Sequence, residues 1–312
     1  MCGICGLFQS NQPVEEATLK RMSDRIAHRG PDDSGMYFSP DGRAGLGFRR
    51  LAIIDLSPTG HQPMTNEDGR LWIVFNGEIY NYPDLRKELA RAGHEFRSTS
   101  DTEVVIHGYE EWGAGVLSRL RGMFAFALWD ERNHALFAAR DRLGIKPLHY
   151  YWDGERFAFA SEIKALLTLP RLKTDLDHSA IWDYFTYLYV PTPKTVYKFI
   201  RKLPPAHYLT FRITGGADSP VRPFGEPESS PLQIKQYWDV TRWGNSTLSR
   251  ADAADAVREK LRETVQAHLI ADVPVGVLLS GGLDSSAVTA FASPELQTSN
   301  FKLQTSNFKL QT

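Results

Sequence analysis

Two cysteines in 312 residues are too few for a disulfide framework and only half of a four-ligand zinc site. No apolar run approaches the roughly 20 residues that span a bilayer, and no basic-then-apolar leader opens the chain. Neither sign of charge is in excess, since 36 Lys and Arg face 37 Asp and Glu for a net charge of −1. That removes the general electrostatic footprint of a nucleic-acid or anionic-membrane binder. These absences predict a protein of the reducing cytoplasm, with no nucleic-acid and no membrane partner. What is present, 42% hydrophobic and 12% aromatic residues, is enough for a real core in one large domain or two ordinary ones.

Residues 15–27 carry Leu19, Met22 and Ile26 at helical spacing. Strand-like runs follow at 45–55, 70–80, 122–130, 134–141 and 156–162. Two helices interrupt them. One covers 83–93, with proline at its start and glycine past its end. The other starts at Ser100-x-x-Glu103, a capping box, and runs towards Trp112. The strands do not alternate strictly with helices, so residues 1–210 read as α+β, helices packed on sheets. Residues 214–233 are rich in Pro, Gly and Ser and read as an exposed linker. Beyond it, 249–270 is an amphipathic helix, and "VPVGVLL" (273–279) reads as a buried parallel strand. "SGGLDSS" is a glycine loop, and a helix restarts at about Ser285. Helix, strand, loop and helix in that order open a second, α/β domain. "LQTSNFK" at 296–302 repeats at 303–309, a period of no common solenoid, and marks a low-complexity tail.

Cys2 and Cys5 form a C-x-x-C, which reads as a redox pair, a metal spacing or two packing residues. Alternatively, Cys2 is small enough to permit removal of Met1. The new terminus would then carry a thiol and a free α-amine on the same residue, with ordinary pKa values near 8.5 and 8, and the amine could take the thiol proton. In "FNGEIYN" (75–81), Asn76-Gly77 reads either as a hairpin turn or as two donors for an oxyanion. Arg50 is either a surface residue or a carboxylate fork. Asp101 either complements a helix dipole or holds an ammonium.

Together, "CGICGLF", "HRGPDDSG" (28–35), "RRLAIIDLS", "GHQPM" (60–64), "FNGEIYN", "SDTEV", "DRLGIKPLHYY" (141–151) and "FASEIKAL" (159–166) closely resemble the glutaminase domain of class II glutamine amidotransferases. The similarity is nearest to the glutamine-hydrolysing asparagine synthetase family, and it runs from Cys2 to about residue 212. The resemblance implies an N-terminal-nucleophile hydrolase fold, an αββα sandwich. It implies Cys2 as nucleophile with its freed α-amine as base, and Asn76 and Gly77 as oxyanion hole. It also implies Arg50 on the glutamine α-carboxylate, Asp101 on its ammonium, and Leu51, Ile53 and Glu78 lining the pocket; Cys5 becomes a packing residue. Phe48 stands where a histidine is common in the family.

"LLSGGLDSS" (278–286) lacks the Walker lysine and resembles the PP-loop of ATP pyrophosphatases. Leu279, Ser280, Gly281, Gly282, Asp284 and Ser285 would touch ATP, held with Mg2+; no metal is expected in the glutaminase half. In the family, aspartate and ATP give β-aspartyl-AMP, ammonia from glutamine displaces AMP, and intact members form homodimers. The expected organisation is a glutaminase domain over 2–212, a linker over 213–248, a partial synthetase domain over 249–293 and the repeat tail over 294–312. Three rivals stay open at this point: an amidotransferase of the same two domains acting on a polysaccharide precursor, a C-x-x-C redox or metal module, and an inactive relic.

Overall fold

The computed structural model describes residues 1–213, 231–242 and 247–298. The chain forms two compact units, Met1–Arg242 and Trp243–Thr312. The first opens on β1 (Gly3–Gln9), followed by α1 (Glu16–Asp24), β2 (Asp33–Phe38), β3 (Ala44–Arg50), β4 (Met64–Thr65) and β5 (Leu71–Ile79). Helices α2 (Tyr82–Ala92), α3 (Thr102–Trp112) and the short α4 (Val116–Arg119) precede β6 (Gly122–Asp130) and β7 (Ala135–Arg140). Then come β8 (His149–Trp152), β9 (Arg156–Ala160), α5 (Ile163–Leu166), α6 (His178–Tyr187), β10 (Ile200–Lys202), β11 (His207–Arg212) and β12 (Leu232–Gln236).

Two six-stranded sheets result, one ordered β10-β8-β9-β1-β3-β2 and the other β12-β11-β7-β6-β5-β4. Every pairing in them is antiparallel. Side chains alternate between the faces of a strand, and β6 shows where each face goes. Ala125, Ala127 and Trp129 join a core with Ile4, Phe8, Phe48, Phe157 and Phe211, between the sheets. Phe124, Phe126 and Leu128 join Leu85, Leu89, Val105 and Leu117 of α2, α3 and α4 on the outer face. On the other sheet, Cys5 and Leu7 pack with Leu19 and Met22 of α1 and Leu166 of α5. The layers are therefore helix, sheet, sheet, helix, the αββα sandwich. Both faces of its central strands are covered, so β1 is buried throughout and shows no polar alternation.

β1 went unread because two glycines interrupt it. Gly6 is required by packing, since a Cβ there would lie 2.3 Å from the Phe159 ring. The capping box forms only in part. Ser100 Oγ accepts from Thr102 N at 3.2 Å, but the Glu103 carboxylate bonds Arg97 N and Ser98 N instead. Within the segment expected as linker, β12 pairs with β11, while 214–230 and 243–246 lie outside the described residues.

The second unit contains α7 (Arg250–Ala267) and α8 (Leu283–Thr298). The helix expected over 249–270 forms, but none of its residues is buried. The strand expected over 273–279 does not form. That segment is irregular, and Leu278 is 96% exposed. A strand exists only through a neighbour's hydrogen bonds, and among the described residues nothing pairs with this one. α8 begins at Leu283, slightly earlier than expected, and its backbone continues to Thr298, into the segment read as tail; the rest of the tail, 299–312, lies outside the described residues.

Candidate active site

Where the edges of β1, β3 and β5 meet the loop after β3 and the start of α3, a cavity of about 80 Å³ opens. All eight glutaminase-half candidates line it: Cys2, Arg50, Leu51, Ile53, Asn76, Gly77, Glu78 and Asp101.

Cys2 and Cys5 do not act as a pair. Three residues apart along an extended chain, they fall on opposite faces of the sheet. Cys2 packs against the core between the sheets, and Cys5 sits fully buried against α1 and α5. Burial pushes the Cys5 thiol up to about 12, so it stays protonated. The Cys2 thiol donates to Leu51 O at 3.6 Å and its sulfur accepts from Leu51 N at 3.4 Å. Burial raises its pKa, and the Leu51 N–H opposes that rise. Arg29 Nε donates to Cys2 O at 2.9 Å and fixes the chain end. The Met1 amine is held below its ordinary pKa, chiefly by burial.

β5 presents donors at a period of two. Phe75 N–H goes to Gln62 Oε1 at 2.7 Å and Ile79 N–H to Asp101 Oδ2 at 2.8 Å. Gly77 lies between them. Its partner across β6 is Phe124, whose N–H and C=O both bond Asp141. Gly77 thus occupies a non-hydrogen-bonded pair and its N–H points away from β6, along the same edge as its two neighbours. A Cβ at Gly77 would lie 2.4 Å from Met123 O, so only glycine fits. Next to it, Asn76 is 1% exposed and its Nδ2 finds no hydrogen-bond partner among the described residues. Asn76-Gly77 is not a turn; it lies inside β5.

Two carboxyls line the same cavity. Burial pushes Asp101 up to about 6, against the Ile79 N–H that bonds it, and burial with the nearby Asp101 charge pushes Glu78 up to about 7. Both shifts come chiefly from burial, and two buried acids side by side favour a cationic ligand group between them. Arg50 is committed more heavily than expected. It donates to Ser57 O at 3.1 Å, Ile54 O at 3.5 Å and Asp55 O. Two of its five N–H groups have no partner among the described residues. The Leu51 backbone, likewise, faces the Cys2 thiol.

Lys146 and Gln62 also line the cavity and no role was read for them. Asp141 wraps the loop that presents Lys146, accepting from Leu143 N, Ile145 N and Lys146 N. Burial lowers the Lys146 pKa, with Glu78 opposing. A lysine in a loop has no periodicity to mark it; the signal was its place inside "DRLGIKPLHYY". Gln62 ties β5 to α3, since its Nε2 also donates to Thr102 Oγ1 at 3.0 Å. Replacing Gln62 by Leu should leave Phe75 N–H buried and unpaired, a loss of about 1–3 kcal/mol in denaturant unfolding.

The six nucleotide candidates lie in the second unit. Ser280 Oγ and Ser285 Oγ are 3.0 Å apart, Ser285 Oγ donates to Gly282 O at 3.1 Å, and Gly281 has φ +80. Backbone amides of this loop at the start of the 16-residue α8 suit a phosphate.

Residues 1–220 match the glutamine amidotransferase domain family, and residues 256–311 match asparagine synthase. The chain belongs to the glutamine amidotransferase family. It is 42% identical over 298 residues to asparagine synthetase [glutamine-hydrolyzing] 3 of Bacillus subtilis (strain 168), covering 94% of this chain and 45% of that protein. It is 34% identical to a putative asparagine synthetase [glutamine-hydrolyzing] 2 of Methanocaldococcus jannaschii, over 92% of this chain and 56% of that one. It is 39% identical to amidase chry2 of Gibberella zeae, over 94% and 43%. The chain thus spans about half the length of these relatives. Among solved structures, glutamine phosphoribosylpyrophosphate amidotransferase from B. subtilis superposes with a TM-score of 0.52 at 18% identity, over 75% of this chain and 49% of that one. That likeness and the layer order agree on the N-terminal-nucleophile hydrolase fold.

Proposed function

We propose that the chain is the glutamine-hydrolysing part of an asparagine synthetase, which releases ammonia from glutamine at Cys2 for an aspartate activated by ATP. The observation that carries this reading is one cavity holding the Cys2 thiol, the unpartnered Asn76 amide, the Gly77 edge of β5 and the two raised carboxyls.

Once Met1 is removed, the Cys2 α-amine takes the thiol proton and the sulfur attacks the side-chain amide carbon of glutamine. Asn76 Nδ2 and Gly77 N–H stabilise the oxyanion. The amine returns its proton to the leaving nitrogen, ammonia departs, and water hydrolyses the thioester to free glutamate. Asp101, with Glu78, holds the substrate ammonium, and the free donors of Arg50 take its carboxylate. The 279–285 loop would hold ATP phosphates, with Mg2+ supplying charge neutralisation. Similarity to asparagine synthetases also supports aspartate as acceptor; a homodimer and a cytoplasmic setting are part of the proposal through the family resemblance alone. Among the described residues, no helix is long and apolar enough to cross a membrane.

Asp101→Asn should raise KM for glutamine by about 10–100-fold, the value of a hydrogen bond to a charge, with a smaller change in kcat. Because its carboxyl is pushed up to about 6, acid removes the negative charge that the ammonium needs. Wild-type kcat/KM should therefore fall with the Asp101 step as pH drops through about 6, and the variant's profile should lose that step while keeping the fall that Glu78, pushed up to about 7, sets. An unchanged KM would remove Asp101 from the ammonium role.

The direct test supplies glutamine, aspartate, ATP and Mg2+ and measures glutamate, pyrophosphate and asparagine separately. Glutamate should form. Asparagine should not, because residues 273–279 form no sheet to carry an acceptor pocket among the described residues. Absence of glutamate would defeat the reading.

A further inference from the structure

Outside the cavity, a second cluster joins three connections of the fold. Glu67 lies in the turn between β4 and β5, His94 follows α2, and His107 and Glu110 share one turn of α3. Each offers one atom, and the four atoms lie within 4.8 Å of one another. We propose that Glu67, His94, His107 and Glu110 form a structural site for a divalent transition ion of the zinc type.

The spacing fits the ion. Tetrahedral zinc, with bonds of about 2.0–2.2 Å, sets neighbouring ligand atoms about 3.3–3.5 Å apart. His94 Nδ1 is 3.3 Å from Glu67 Oε1 and 3.8 Å from Glu110 Oε2. His107 Nδ1 is 3.3 Å from Glu67 Oε2 and 3.9 Å from Glu110 Oε2. The histidine–carboxylate separations are already near that spacing, and an ion would draw the widest separation in the set inward by roughly an ångström.

His107 gives the independent pointer. It is 1% exposed, and neither ring nitrogen has a hydrogen-bond partner among the described residues. Its Nδ1 faces two carboxylates, Glu67 and Glu110, and a cation placed between the three would attract all of them. Four carboxylates, Glu67, Glu110, Glu103 and Glu111, face the cluster, and among the described lysines and arginines Arg70 alone pairs with one of them, at 3.6 Å, so negative charge is in excess for a divalent ion to offset.

Each imidazole turns its far nitrogen towards a carboxylate, the side on which metal-bound imidazoles are backed, though beyond hydrogen-bond length here. The far nitrogen of His107 lies 3.7 Å from Glu103 Oε1, and that of His94 lies 3.6 Å from Glu111 Oε2. In both rings Nδ1 faces the cluster and Nε2 faces a carboxylate. Asn66 Nδ2 lies 3.2 Å from both Glu110 oxygens and fixes that ligand. Four protein ligands make a closed site, so the ion would pin the β4–β5 turn and the α2–α3 connection to α3 and leave no position for substrate.

The test uses the 312-residue chain with a Cys2→Ala background, so that the terminal thiol cannot take the metal. After loading with Zn2+ and desalting, elemental analysis should give one zinc per chain, and zinc should raise the unfolding midpoint. Co2+ in its place should give the visible bands of tetrahedral cobalt, a readout that needs no further variant. His94→Gln should cut zinc affinity by more than 100-fold, and Glu103→Gln by about 10–100-fold, the usual loss when a backing group goes. No stoichiometric zinc would overturn the proposal and leave a proton as the shared cation. Full zinc retention in both His94→Gln and His107→Gln would overturn it by placing the metal elsewhere.

Discussion

Cys2→Ala should reduce glutamine hydrolysis to background, on the order of 10⁶-fold in kcat, as loss of a nucleophile does elsewhere. Glutamine binding should survive, because Asp101, Glu78 and Arg50 do not depend on the thiol. Cys5→Ala should keep the activity and lose about 1 kcal/mol of stability, since Cys5 only fills space between β1 and α1. The contrast follows from the parity of the strand: three residues apart, the two thiols must face opposite ways. Burial sharpens it, since it raises both thiols, and only Cys2 acquires a free amine on the same residue to take its proton. Steady-state glutamate release from both variants checks this. Equal loss in both would return the C-x-x-C to a redox role.

Asn76→Ala should lower kcat by about 10²–10³-fold with little change in KM, as removal of one oxyanion donor does. The amide Nδ2 is buried and unpartnered at the cavity, a cost of about 1–3 kcal/mol in the resting protein that a developing oxyanion would relieve. Asn76→Asp keeps the shape and sets an acceptor where a donor is needed, so it should fall at least as far. Folding should be intact in both variants, because β5 keeps its backbone pairing with β6 along its whole length. If Asn76→Ala alters only KM, the amide binds the ground state and is no oxyanion donor.

Long apolar runs were easily read. β5, β6 and β7, and the helices α2 and α3, fall within a few residues of their expected bounds, because hydrophobic spacing encodes them directly. β1 was hidden by glycines whose reason lies across the sheet at Phe159. Asn76-Gly77 looks like a turn locally; its place inside a strand depends on pairing with Ala125 and Phe124 of β6, far along the chain. Residues 273–279 have strand composition and no partner, and composition cannot supply one. The glutaminase candidates were legible through resemblance, and geometry then distinguished them: the Leu51 backbone serves the thiol and Arg50 chiefly serves its own loop. Lys146, Gln62 and the Glu67–His94–His107–Glu110 cluster are products of tertiary placement, with no spacing of their own to announce them.

The central claim is a terminal Cys2 acting on glutamine, and one mass measurement reaches it. The purified chain is treated with a glutamine analogue bearing an electrophilic carbon at the amide position, and its intact mass and peptides are then read. The chain should lack Met1 and carry one analogue, on Cys2, with excess glutamine protecting it. A chain that retains Met1, or a label that falls on Cys5 or Lys146 with Cys2 unmodified, would contradict the account.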